Sequence, residues 1–270
     1  MTVRSLDRYR RHLANERKRS AQKNTRSTRP ERRSERENMS VIFECRDLVK
    51  KYGNLTALDG INLQLESGRI VGLLGPNGSG KTTLIKLANR LLQPTAGQIL
   101  IDGDEPGVVT KSKVAYLSDK DYLPDWLKTN GLLSFMQDFY DDFDRDRAQE
   151  MLTSLDIPMD MSLKKMSKGT REKVQLILTM SRRAKIYLLD EPIAGVDPAA
   201  RDYILRTIIN NYEEHALVLI STHLIADVES VLDEAVFLMK GKIVLHKTVD
   251  EIREETGKSV DEYFREVFRC

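Results

Sequence analysis

Two short runs hold the residues best suited to act on a phosphate. The first, GPNGSGKTT, spans Gly75, Pro76, Asn77, Gly78, Ser79, Gly80, Lys81, Thr82 and Thr83. Glycines at this spacing let successive backbone N–H groups turn inward around the β- and γ-phosphates of a nucleotide, and a helix starting there adds its positive dipole end. Lys81 then reaches the phosphate oxygens, and the Thr82 hydroxyl holds Mg²⁺. The match to G-x-x-x-x-G-K-[ST] gains its specificity from its flanks, because the apolar run RIVGLL leads in and the helically periodic GKTTLIKLANRLL leads out. The second run is IYLLDEP, an apolar strand that delivers Asp190 and Glu191 to its C-terminal end, where such sheets bind ligands. Asp190 suits the Mg²⁺ shell through water, and Glu191 suits the orientation and deprotonation of an attacking water. The two runs together predict a site for a nucleoside triphosphate.

The elements that must position these residues follow from periodicity. VIFECRDLVKKY and TALDGINLQL read as two early strands with a turn at Gly53-Asn54. RIVGLL, QILIDG and KVAYLS add short strands. From Thr129 to about Arg183 the pattern changes to helices, in NGLLSFMQDFY, RDRAQEMLTSLD and GTREKVQLILTMSRR. Strand signals return in IYLLD, ALVLIST and EAVFLMKGKIVLH, separated by the helical runs PAARDYILRTIINNY and LIADVESVL. The last stretch, VDEIREETGKSVDEYFREVF, reads as two short amphipathic helices. Buried strands alternating with helices predict an α/β fold built on a parallel sheet, with a helical lobe inserted over about 128–185.

Phosphate loops serve kinases, GTPases, helicases and transporters alike, so a further motif must choose among them. KMSKGTREKVQ places Ser167, Lys168 and Gly169 at the start of a helix, ahead of the strand that carries Asp190. This run resembles the signature motif of ATP-binding-cassette (ABC) ATPases, whose common form is LSGGQ. Serine and the second glycine are kept, while Lys168 and Thr170 stand in the other places. The remaining landmarks follow in family order from Met39 to Cys270, and the chain looks most like the bacterial exporter-type (ABC-2-like) ATP-binding subunits. Tyr52 resembles the aromatic that stacks on adenine, AGVDP (Ala194 to Pro198) the loop linking two ATP sites, and His223 of STH the switch histidine at the γ-phosphate.

The resemblance implies a P-loop NTPase core with an antiparallel β subdomain, ATP and Mg²⁺ as cofactors, and hydrolysis of ATP to ADP and phosphate. It also implies a head-to-tail dimer, homo- or heteromeric. In that dimer Lys81, Asp190, Glu191 and His223 of one chain meet Ser167 and Gly169 of the other around each ATP. One departure stands out: where the family usually has a glutamine touching Mg²⁺ and the attacking water, YLSDKDYL has Asp119. A carboxylate there either reaches the ion or caps a turn. The only tryptophan, Trp126, follows in DYLPDWLKTNGLL. It is either packed inside the lobe or exposed in a groove that accepts a helix of a membrane subunit.

Charge and composition bound the rest. Residues 1–38 carry 13 Lys/Arg against 5 Asp/Glu, a net +8, which leaves −6 for the remainder of a chain at +2. This basic extension has too few apolar side chains to build a core and is expected to be disordered or transiently helical. Its purpose is either an arm for anionic lipid or RNA, or none, if Met39 is the true start. Arg36-Glu37 can be encoded as a purine-rich run of ribosome-binding type just ahead of that methionine. An intact mass beginning at Met1 would dismiss the second option. No apolar run approaches the ~20 residues needed to span a bilayer, so a membrane role must come through a partner. The expected partner is an integral permease, reached from the cytoplasmic face of the membrane. The alternative is a non-transport cassette acting on the ribosome or nucleic acid. Those usually carry paired cassettes or long coiled-coil insertions, so nucleic acid is not expected.

Overall fold

The computed structural model describes residues 40–268 with the exception of Asp197. The basic extension, Met39 and Asp197 of the AGVDP run lie outside the described residues. The strands β1 (Val41–Tyr52) and β2 (Leu55–Glu66) form a hairpin around Gly53-Asn54. They join β4 (Ala96–Ile101) in a three-stranded antiparallel sheet of order β2-β1-β4. The second sheet has six strands in the order β5-β6-β7-β3-β8-β9. These are β3 (Ile70–Leu74), β5 (Val114–Leu117), β6 (Ile186–Asp190), β7 (Leu217–Thr222), β8 (Glu234–Met239) and β9 (Lys242–Thr248). The first five in spatial order are parallel and β9 closes the edge antiparallel to β8.

The central strands are apolar on both faces, and their period of two divides them between two cores. Val71, Leu73, Ile186, Leu188, Leu217 and Leu219 point to the antiparallel sheet and to helix α1 (Lys81–Ala88). Ile70, Leu74, Tyr187, Leu189, Val218 and Ile220 point to the opposite layer of helices. Each fully buried aliphatic chain contributes about 1.5–3 kcal/mol relative to exposure, so a one-residue slip in any strand would exchange both faces at great cost. The register therefore fixes which strand ends carry Gly75, Asp190 and Thr222 to one edge.

After α2 (Val108–Lys113) and β5, the chain enters a separate apolar core. It is made by α3 (Thr129–Phe139), α4 (Arg145–Ser154), α5 (Lys168–Met180) and Leu123. Helix α5 serves two cores at once. Val174, Ile177 and Leu178 pack in the lobe, whereas Leu176 and Met180 pack beneath the parallel sheet. Asp144 and Ser167 cap α4 and α5 through their side-chain oxygens. Helix α6 (Pro198–Asn211) follows β6, and α8 (Val249–Thr256) and α9 (Val260–Val267) close the chain, each of the last two opened by a capping box.

Three readings of the pattern need correction. EAVFLMKGKIVLH is two strands, because Lys240 and Gly241 both take positive φ and fold it into a hairpin. LIADVESVL forms a single α turn, α7 (Ile225–Val228), followed by a 3₁₀ turn. Helix α2, in a stretch without a helical signature, was not anticipated. Among the described residues no helix is long and apolar enough to cross a membrane.

Candidate nucleotide site

A cleft of ≈ 860 Å³ opens along the C-terminal edge of the parallel sheet, lined by Tyr52, residues 77–83, Asp119, Asp190, Glu191 and His223 among others. Its floor is the loop between β3 and α1. Gly75 must be glycine, since a Cβ would sit 2.4 Å from the Leu238 carbonyl and 2.6 Å from Ser79 Oγ. Gly80 takes φ +114°, and a Cβ there would lie 2.7 Å from the Ala57 carbonyl. The loop thus brings its backbone close to its neighbours and turns at positions that side chains resist.

Lys81 is 5% exposed, and its ammonium is held in place from inside the loop. It donates to the carbonyl oxygens of Gly75 at 2.8 Å and Pro76 at 3.3 Å and lies 3.3 Å from Glu191 Oε1. His223 Nδ1 is 3.1 Å from Glu191 Oε2, so one carboxylate bridges the lysine and the histidine. Glu191 itself is strained, at φ +51°, and its N–H donates to the carbonyl (3.0 Å) and the hydroxyl (3.2 Å) of Ser221. A left-handed glutamate persists only where the surroundings fix it. Here the neighbouring strand β7 does so.

Asp190 is almost wholly buried, at 1% exposure. Its Oδ1 accepts from Thr82 Oγ1 at 3.1 Å and from Ser221 Oγ at 2.5 Å. Its Oδ2 is buried and has no hydrogen-bond partner among the described residues. Burial pushes the Asp190 carboxyl up from its ordinary value. The Ser221 and Thr82 hydroxyls oppose the rise, and the charges of Asp119 and Glu191 add to it. An unpaired buried carboxylate oxygen is costly. A hard divalent cation beside it would meet that oxygen and the Thr82 hydroxyl together, so the donor set fits Mg²⁺.

The remaining expected residues divide between the cleft and the lobe. Tyr52 ends β1 at the cleft and is 45% exposed, with the Lys50 ammonium 5.2 Å from its ring centre. Asp119 is exposed on the cleft wall and accepts a 3.3 Å hydrogen bond from Ser118 Oγ. Ser167 and Gly169 do not line the cleft of their own chain, although Lys168 between them and Glu172 and Gln175 further along α5 do. Ser167 and Gly169 are both exposed at the N-terminus of α5, where Ser167 Oγ accepts from the Thr170 N–H at 3.2 Å and nothing lies within 4 Å of a Cβ built on Gly169. Ser221 and Gln175 escaped the sequence reading. Ser221, within STH, could have been found from its place beside the switch histidine, whereas nothing local marks Gln175. Trp126 is 78% exposed, which removes the lobe-core alternative for it.

A parallel sheet whose edge presents this loop, this lysine and this carboxylate pair defines a phosphate-loop nucleotide-binding protein. The ABC transporter family profile matches residues 58–194. The chain is 30% identical to the ABC transporter ATP-binding protein YtrB of Bacillus subtilis over 79% of its own length and 74% of that protein. It is also 30% identical to the lipopolysaccharide export system ATP-binding protein LptB of Escherichia coli K12, over 85% of this chain and 99% of that one. A solved ATP-binding subunit of an ABC transporter superposes with a TM-score of 0.77 at 28% identity, covering 84% of this chain and all of that one. The protein belongs to the ABC transporter ATP-binding family.

Proposed function

We propose that this chain is the ATP-hydrolysing subunit of an exporter. In this reading it works at the cytoplasmic face of the membrane, dimerises around two ATP molecules with a second cassette, and drives a separate integral permease. The observation that carries the reading is the division of the phosphate-binding groups between two places. Lys81, Asp190, Glu191 and His223 converge on the cleft, while Ser167 and the Gly169 N–H stand exposed at the start of a 13-residue helix. A helix N-terminus of this kind binds an anion. Lys168, between them, borders the chain's own cleft, while Ser167 and Gly169 themselves do not line it, which agrees with the family resemblance in which a second chain supplies the phosphate they meet. The export assignment draws on the relatives, one of which is named for lipopolysaccharide export.

In hydrolysis the loop amides and Lys81 bind and orient the γ-phosphate. The incoming phosphate competes for the Lys81 ammonium and so releases Glu191 from its 3.3 Å pair. Glu191 then accepts the proton of the attacking water, and His223, in contact with Glu191, orients it and reaches the γ-phosphate. Thr82 and Asp190, with Asp119 on the cleft wall, would hold Mg²⁺, which would supply charge neutralisation at the phosphates. Tyr52 offers a face for adenine. Glu191→Gln should retain ATP binding, lose turnover by about 10²–10⁴-fold and accumulate an ATP-bound dimer in size-exclusion chromatography. A fully active, monomeric Glu191→Gln protein would refute the reading.

A further inference from the structure

Asp119 stands on a short segment between two bodies, the end of β5 at Leu117 and the lobe. What holds that segment is helix α5. Arg171, one turn in from Ser167, has a side chain only 12% exposed and spends its guanidinium on the segment. Its Nε and Nη2 donate to the two carboxylate oxygens of Asp121, Nη2 also to the Leu123 carbonyl at 2.5 Å, and Nη1 to Asp125 at 2.8 Å. Nη1 additionally donates to the Leu163 carbonyl at 2.9 Å, tying in the turn before the helix. One turn further along the same face, Gln175, 3% exposed, donates to the Lys120 carbonyl at 3.2 Å. Leu123 is meanwhile buried in the lobe core. Backbone or side chain is therefore gripped at 120, 121, 123 and 125, immediately after Asp119.

From this we infer that Arg171 and Gln175 are positioning residues, which fasten the Asp119 loop to the helix whose first turn presents Ser167 and Gly169. Asp119 and Ser167 then move as one body, so a shift of either relative to the phosphates is transmitted to the other. Arginine suits this place because its planar fork serves several acceptors at once, which lysine cannot do. The inference rests on the proposed roles of Asp119 at the chain's own nucleotide and of Ser167 at the nucleotide of the second chain in the assembled dimer.

The test is a double-mutant cycle in the full-length protein, read by Mg·ATP turnover, ATP dissociation constant and the emission anisotropy of Trp126. Trp126 is the chain's only tryptophan and adjoins Asp125. Arg171→Ala should lower kcat about 10- to 100-fold, because misplacing a group by an ångström costs that much, while ATP affinity stays within about twofold. Trp126 anisotropy should fall. Asp119→Ala should lower kcat as well, and the double variant should be no slower than the slower single one. Arg171→Lys and Gln175→Ala, which keep more of the contacts, should fall between. Losses that multiply, or wild-type kcat and anisotropy in Arg171→Ala, would overturn the inference while leaving the nucleotide site intact. Unchanged turnover in Asp119→Ala would instead remove Asp119 from the catalytic reading, and the inference would fall with it.

Discussion

The cleft and the start of α5 carry the same kind of chemistry in opposite states of completion. In the cleft, every group that would meet a phosphate is fixed by something else. Lys81 is bonded to two loop carbonyls, Glu191 is held at positive φ by Ser221, and Asp190 accepts two hydroxyls. At the start of α5, Ser167 bonds only its own cap, and Gly169 faces open space. The first region is preorganised and half-buried; the second is an exposed helix start that, in the proposed reading, receives an anion. A motor that must be driven by binding gains from this division. In the proposed dimer the built half would select nucleotide before the open half arrives, and closure would be favoured only while the nucleotide is present.

The comparison breaks most visibly at Lys81. Lys81→Ala removes the phosphate contact, the loop's internal bonds and the partner of Glu191, so turnover should drop by about 10³-fold or more and ATP binding should be lost with it. Retained ATP binding in an equilibrium titration would show that the cleft is less dependent on its lysine than its geometry implies. A smaller and different effect is expected from the open half. Ser167→Ala should cut turnover by about 10- to 100-fold, the worth of one hydrogen bond to a charged group, yet leave ATP binding to the isolated chain unchanged. A loss of affinity in the isolated chain would place Ser167 in its own site and sink the division.

Asp190 sharpens the contrast in a third way. Because its charge is buried with Oδ2 unpaired, Asp190→Asn should raise the melting temperature of the nucleotide-free protein by roughly 2–4 °C per kcal/mol of relieved desolvation. The same variant should lose the stabilisation that Mg·ATP gives the wild type. A melting point that falls instead would show that the carboxylate is structural in the apo state. The mildest effect concerns the fastening of the Asp119 loop. Burial works against the Asp121 carboxylate, but Arg171 and the Leu123 N–H outweigh it and hold its pKa below the ordinary value. Its contribution is therefore full above the unfolded value near about 3.9 and is lost as pH falls through the lower folded value. Trp126 anisotropy should stay constant from neutral pH down to that range and drop only below it. A decline already at pH 6 would assign the fastening to another group.

Most of the cleft was legible before any coordinates, because a phosphate loop and the strand-borne Asp190-Glu191 pair are local in sequence. The steric demands at Gly75 and Gly80 come from contacts with Leu238 and Ala57, which no local pattern reveals, although the motif already required glycine at both. The hairpin within EAVFLMKGKIVLH was hidden because both of its strands are apolar enough to read as one. Gln175 was hidden for the opposite reason, since a polar residue inside an amphipathic helix looks like solvent-facing filler until its amide is found on Lys120.

The sequence by itself determined the alternation of strands and helices, the phosphate loop and the family, since each rests on spacing along the chain. Only the tertiary structure decided that β7 lies beside β6, so that Ser221 can hold both Asp190 and Glu191. It alone decided that Trp126 faces outward and that one helix belongs to two cores. The physical reason is common to all three. Strand order, exposure and shared packing depend on which apolar faces find each other across long stretches of chain, and that competition is settled by burial in the folded whole.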